Sequence, residues 1–382
     1  MKKKLIPILL VSLYSLLLWD CKKTFTPQLK QSDLNVLVVE GYIDGADTVF
    51  FKLSRSRKIY PGDSATSKNE LNAHVTVEDD HNNSYPLIES GNGSYKSSGI
   101  LNLNSAFQYR LHIITSDGKE YASDFVPYKI CPPIDSVSWE LKDGGVQIYA
   151  NAHDGNNNTR YYRWNYIETW QFHAWYYSIL KYDMPTNTVV NRTELVYTCW
   201  RSNNSSSILI GSSARLANDV ISKAPLVYVT NHDPKMDILY SILVKQFPLD
   251  LKGYNYLSAM KNNTESTGSI SDAQPSQVSG NIHNVNDASE QVIGYVGAGN
   301  HLEKRIFIDY SSLPAGWVVF NPCSPTETIT FGHEIDFYKK NLEAVDYAYD
   351  ASGNNIIGYS ASTKSCVDCT LFGTNVKPTF WP

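Results

Sequence analysis

Between residues 35 and 126 the chain is a succession of short β-branched and aromatic runs cut by turn signals, and no other feature limits the fold as tightly. Residues 35–43 (NVLVVEGYI) and 48–54 (TVFFKLS) flank Asp44-Gly45, and residues 74–78 (HVTVE) run into Asp79-Asp80-His81-Asn82-Asn83. Residues 84–89, 107–114 and 120–126 follow, divided by Gly91-Asn92-Gly93 and Ser116-Asp117-Gly118-Lys119. Runs of this length read as strands, because successive side chains on a strand point to opposite faces and Asp-Gly or Asn-Gly dipeptides suit the turns between them. Seven or so such runs predict an N-terminal β-sandwich of immunoglobulin or transthyretin type over residues 34–127. The polar stretch 55–72 is a long loop for a unit of that size.

Pro127 and then Cys131-Pro132-Pro133 mark a boundary. Residues 134–382 read as a larger β-rich domain, sandwich-like at its start (135–141, 146–152 and 160–172), with a strong strand at 236–247. Asp250 is placed to cap a short helix over 251–262 with Tyr254, Leu257 and Met260 as its apolar face. Strand character returns at 280–282, 291–296 and 305–309, and Trp381, bulky and next to last, is expected to dock. Composition agrees with a mainly β chain: aromatic residues are 12% and Met only four. The net charge of −5 has no basic stripe behind it, which argues against a nucleic-acid partner.

The first 20 residues read as an export signal. Lys2, Lys3 and Lys4 precede an apolar run that ends at Trp19, too short for a bilayer span of about 20 residues. Leu18 stands three residues before Cys21, the spacing of a lipobox, so Cys21 is the expected lipidation site and first mature residue, anchoring the chain to a membrane through lipid. Residues 21–33 are then a polar tether. Five further cysteines remain, Cys131, Cys199, Cys323, Cys366 and Cys369, and in an oxidising envelope they are expected to form structural disulfides. Their connectivity is not readable from spacing. Cys366 and Cys369 have Cys-x-x-Cys spacing without the strand–helix context of a redox site.

No catalytic signature emerges. Ser116 and Lys119 have Ser-x-x-Lys spacing but sit in a hairpin, where the catalytic Ser of that motif opens a helix. His333-Glu334 lacks the second His of a zincin, since Phe337 stands there. Gly294, Gly297 and Gly299 fit a bulge or close strand packing better than dinucleotide binding. Asp154-Gly155-Asn156 has too few acidic ligands for a calcium loop. No metal site and no cofactor is expected. Three Asp-Ser/Thr-small-apolar triplets, at Ser64, Thr48 and Ser136, have the form of O-glycosylation sites, with Ser64 the best placed because it lies in the polar loop.

The densest aromatic stretch is 160–182 (RYYRWNYIETWQFHAWYYSILKY). At period two, Tyr162, Trp164, Tyr166, Trp170, Phe172 and Tyr176 share one face with Glu168 and Ala174, while Arg163, Asn165, Thr169, Gln171 and His173 share the other. The simpler reading is a strand whose aromatic face fills a core. The functional reading is a binding platform of Trp164, Trp170, Trp175 and Tyr177, since exposed Tyr and Trp supply rigid amphipathic contact area.

Several segments together resemble a known family. The lipobox Cys21, Leu37-Val38-Val39-Glu40-Gly41-Tyr42-Ile43, Val49-Phe50-Phe51-Lys52-Leu53-Ser54 and Gly118-Lys119-Glu120-Tyr121-Ala122-Ser123 are similar to the opening of the Bacteroidota lipoproteins called domain of unknown function 4249. Ser241-Ile242-Leu243-Val244-Lys245-Gln246, Val292-Ile293-Gly294-Tyr295, Asp368-Cys369-Thr370 and Lys377-Pro378-Thr379-Phe380-Trp381 are similar to its later half. The resemblance implies an outer-membrane lipoprotein encoded beside a TonB-dependent receptor, without assigned catalytic residues. Lys22-Lys23-Thr24 after the lipid Cys, where surface-exported lipoproteins carry acidic residues, leaves both faces of the outer membrane open. The expected function is a non-enzymatic accessory or binding subunit of a TonB-dependent nutrient transporter. The alternatives are an envelope hydrolase acting on glycan or peptide, and a structural or adhesive surface protein.

Overall fold

Seven strands of the first series and one from much later in the chain close on one another. In the computed structural model, which describes residues 35–57, 68–265, 280–317 and 319–382, they follow the order Leu37–Asp44, Thr48–Arg55, Ser94–Ile100, Ser84–Gly91, His74–Asp79, Gln108–Ile114, Val126–Lys129 and Ala298–Gly299. The last pairs with the first: Ile43 lies opposite Ala298, and Ala298 in turn lies opposite Tyr128. These two joints are parallel, and the six others are antiparallel.

The alternation read from the sequence fills the interior. Leu37, Val39, Phe51, Leu53, Val75, Val77, Tyr95, Tyr109, Leu111, Ile113 and Tyr121 form one buried cluster. The expected sandwich drew all its strands from residues 34–127, whereas the sheet is an eight-strand, barrel-like ring completed from later chain. Closure has a physical reason: an open edge at Leu37–Asp44 would expose unpaired backbone groups, and here Ile43 N–H donates to Gly297 O at 2.9 Å and Gly45 N–H to Gly299 O at 2.9 Å. Gly299 must be glycine, because a Cβ there would stand 2.2 Å from Lys129 O. The same segment adds Val292–Ile293 beside Leu37–Asp44 and Ile282–Asn284 beside Glu120–Ser123.

Two further sheets share a second core. Ile134–Lys142, Gly145–Asp154 and Asp219–Val229 form one, and the other runs Thr198–Asn204, Tyr161–His173, Leu239–Leu249, Leu302–Asp309, with Leu209–Ser212 also on Tyr161–His173. Val146, Ile148 and Ala150 from the first join Tyr162, Trp164, Tyr240, Ile242 and Val244 from the second in one cluster. The helix Leu251–Glu265 begins as expected, with Asp250 Oδ1 accepting the Gly253 N–H at 2.7 Å. Its buried side is Gly253 and Tyr256, however, with Tyr254, Leu257 and Met260 only half-buried. The sequence face was drawn one residue off because Tyr256 packs on Tyr295 of the returning segment, with ring centroids 5.8 Å apart.

A small lobe completes the chain. The hairpin Leu180–Asp183 and Thr188–Asn191 lies by the sheet Glu327–Thr330, Ile356–Thr363, Leu342–Tyr349 over a core of Leu180, Ile329, Phe337, Ala344 and Ala361. Disulfides Cys199–Cys369 and Cys323–Cys366 staple its ends. Trp381 docks: it is buried, meets Phe307 edge-on and donates its indole N–H to Gln171 Oε1 at 3.2 Å. No described helix is long and apolar enough to cross a membrane.

Candidate functional site

The aromatic stretch divides in two. Along the strand Tyr161–His173 the period-two face turns inward: Tyr162, Trp164 and Trp170 are buried, and Trp164 donates its indole N–H to Gln246 Oε1 at 2.9 Å. Glu168 is buried on the same strand, where its carboxylate accepts from Tyr240 Oη at 2.8 Å and from Lys235 Nζ at 3.0 Å. Burial and that neighbouring carboxylate push the Tyr240 phenol well above its ordinary pKa, so it stays a donor. Trp164 and Trp170 are thus part of the core. Beyond Ala174 the strand pattern ends, and Trp175 and Tyr177 leave the sheet.

Each faces a separate cleft. Trp175, half-buried, lines a cavity of about 520 Å³ with Phe372, Ser324, Ser362, Ser365 and the Cys323–Cys366 disulfide. Tyr177 is 65% exposed and lines a second cavity, of about 400 Å³, with Tyr197, Trp200, Arg192 and Asn375. Tyr177 meets Tyr197 edge-on at 5.0 Å, and Tyr197 stacks on His173 at 4.4 Å. Burial lowers the His173 pKa, which favours a neutral ring against Tyr197. The charges beside this cleft are already paired: Arg192 with Glu343 at 2.8 Å, and Glu194 with Lys181. The structure therefore brings Trp175 and Tyr177 to the surface of one region and keeps Trp164 and Trp170 away from it.

The cysteines resolve into two disulfides and one thiol. Cys131 is free and buried, hydrogen-bonded through Sγ to Gln246 O at 3.2 Å, and burial pushes its thiol up to about 12, which makes it unreactive. Cys21 and Ser64 lie outside the described residues. Of the other two glycosylation triplets, both lie in strands, and the Ser136 hydroxyl accepts from Asn151 Nδ2 at 3.0 Å. Asp154 uses both carboxylate oxygens on its own turn, accepting from the N–H groups of Asn156, Asn158 and Thr159. Among the described residues no group of three or more His, Cys, Asp or Glu stands close enough to hold a metal ion.

One ionic cluster had no sequence signal. His301 is buried with Nδ1 2.6 Å from Asp44 Oδ2 and Nε2 3.1 Å from Glu303 Oε1, and Lys245 Nζ lies 2.7 Å from that same Glu303 oxygen. The bond to Asp44 raises the His301 pKa against the opposing effect of burial. Burial alone would raise Glu303, but Lys245 and His301 hold it below the usual carboxylate range. Asp44 stands more than 200 residues before the other three in sequence, so only folding could reveal it.

These observations define a mainly β protein with a closed strand ring and a disulfide-stapled lobe bearing two aromatic clefts. The model of the family described as domain of unknown function DUF4249 matches residues 22–305, and the chain belongs to that family. The match takes in the ring and its returning strands; the tail segments that resembled the family, from Asp368 onward, lie beyond it. No curated protein matches the chain.

Proposed function

We propose that this chain is an outer-membrane lipoprotein, anchored through lipid on Cys21, that acts as a non-enzymatic binding or accessory subunit of a TonB-dependent nutrient transporter. The observation that carries the binding half is the exit of Trp175 and Tyr177 from a strand whose other aromatic residues fill a core, each to line a cleft in a region braced by two disulfides. Aromatic walls with a few polar groups are what small-ligand sites need, and bracing lowers the ordering cost of binding. The anchor rests on the lipobox spacing, and the transporter partner on the family resemblance. We also infer that the ring is flattened like an immunoglobulin- or transthyretin-type sandwich, as the strand spacing predicts; its single continuous core supports this.

The test is purification of the native lipoprotein in mild detergent. Stoichiometric recovery of an outer-membrane barrel is the expected result. Recovery without a barrel, together with turnover on a panel of glycans and peptides, would replace this reading with an envelope hydrolase. Palmitate-analogue labelling checks the anchor independently, with label lost in Cys21→Ala.

A further inference from the structure

The larger cleft has a composition that narrows its ligand. Its one ionisable lining residue among the described residues is Glu327, whose carboxylate already pairs with Lys340 Nζ at 3.1 Å. An ionic ligand would find no uncompensated charge there, so the cleft suits a neutral one. Its lining residues are of two kinds. They join Trp175 and the half-exposed Phe372 to the hydroxyl-bearing Ser324, Ser362, Thr363 and Ser365.

Several of these polar groups are unused. Thr363 and Ser365 bond to each other at 3.2 Å, but the Trp175 indole N–H and the Ser324 and Ser362 hydroxyls have no protein partner among the described residues. Ser362 is held most firmly, since the residue is only 6% exposed, yet its hydroxyl bonds no protein group where it lines the cleft. A hydroxyl that no protein group bonds, at the wall of a cavity, is free to donate to and accept from whatever occupies it.

The frame is fixed in advance. The loop bearing Ser324 is held by the Cys323–Cys366 disulfide and by Tyr176 Oη donating to Ser324 O at 2.8 Å. Ala361, Ser362 and Thr363 come from one strand and are held there by pairing with Ala344, Glu343 and Leu342, and Ala361 also lies opposite Glu327. Aromatic rings and hydroxyls that no protein group bonds, lining one cavity without uncompensated charge, match a sugar ring: its C–H face packs on the indole while its hydroxyls meet the serines.

Resting on the binding-lipoprotein reading above, we propose that this cleft binds a neutral saccharide, with Trp175 as the stacking face and Ser362 and Ser324 as hydrogen-bonding partners. Its volume of about 520 Å³ lies within the range of ~300–1,000 Å³ usual for ligand sites.

The experiment is calorimetric titration of the full lipidated protein in detergent with maltohexaose, cellohexaose, xylohexaose and mannohexaose. Binding of at least one is expected, weakened about tenfold or more by Trp175→Ala and several-fold by Ser362→Ala. Because Trp175→Ala could impair folding, Trp175→Phe is measured too, with unchanged thermal unfolding as the condition; it keeps a ring, removes the N–H and should give an intermediate loss. Binding of none of the four sugars, or undiminished binding in Trp175→Ala, overturns the proposal. Failure of the transporter reading looks different: the sugar still binds, but no barrel co-purifies. If a barrel co-purifies and no sugar binds, only the ligand assignment falls.

Discussion

The strand ring and the small lobe hold themselves together by opposite means. The ring has 19 buried residues in one cluster and closes every strand edge on a neighbour. The lobe has five buried residues in its main core and relies on two disulfides across sequence separations of 170 and 43. Burial is cooperative and leaves little room for cavities, whereas a covalent staple fixes loops that pack poorly. The two aromatic clefts lie at the stapled end, so the proposed binding falls in a different part of the chain from its largest closed core.

The sharpest way to break this contrast is to damage the ring. Phe51 is fully buried between strands, and Phe51→Ala removes a large side chain from a closed cage that cannot easily collapse. The expected loss is about 3–5 kcal/mol, read as a fall in denaturant midpoint shared by all probes. A lobe that stays folded while the ring melts would show the two are less coupled than their continuous chain suggests. Next in size is Cys323→Ser with Cys366→Ser. Loss of that staple should cost about 2–4 kcal/mol but locally, exposing residues 319–326 and 364–372 to proteolysis while amide protection of the ring is unchanged. The same variant should lose ligand binding at the Trp175 cleft.

Where those two regions differ in architecture they also differ in legibility. The ring strands were readable because Val49, Phe51 and Leu53 alternate with exposed or half-exposed neighbours over enough residues to show a period. Its closure was not readable: Ala298–Gly299 is two residues long, and pairing so short is fixed by backbones brought near from elsewhere, with no side-chain pattern of its own. The aromatic face of 161–173 was correctly phased, yet phase cannot say which rings are capped by a partner such as Gln246 and which run past the strand end. The clefts were illegible for a further reason. Their walls join Trp175, Ser324 and Ser362, positions with nothing in common before folding.

A third prediction probes the joint between ring and sheet, where His301 links Asp44 of the ring to Glu303 and Lys245 of the five-stranded sheet. His301→Gln should cost about 2 kcal/mol, the size of a lost hydrogen bond between charged groups. That loss should depend on pH. The folded pKa of His301 is raised, so its contribution is complete below the unfolded value of about 6.5 and disappears as pH rises through the folded one. Glu303 is lowered, so its contribution is present above about 4.3 and is lost as pH falls through its folded value. The difference in melting temperature between wild type and His301→Gln should therefore peak between about pH 5 and 6.5 and shrink towards pH 9. A difference that grew with pH would mean the ring nitrogen is neutral at its contact with Asp44.

The smallest expected effect tests whether the helix belongs to the ring or to the sheet. Asp250 does two things at once: Oδ1 caps the helix Leu251–Glu265 through the Gly253 N–H, and the carboxylate accepts from Tyr295 Oη at 2.7 Å, a residue of the segment that returns to close the ring. Burial and this carboxylate push the Tyr295 phenol well above its ordinary pKa, so the phenol remains a donor throughout the neutral range. Asp250→Asn keeps an acceptor for the cap and weakens the charged bond to Tyr295; Asp250→Ala removes both. If the two roles are separable, Asn should cost well under the ~1 kcal/mol typical of a lost cap, and Ala about that amount plus the tyrosine bond. Tyr295→Phe supplies the third corner of a double-mutant cycle with Asp250→Ala. A coupling energy near zero would place the helix with the five-stranded sheet alone, and a coupling of about 1 kcal/mol would make it a strut between that sheet and the strand that seals the ring.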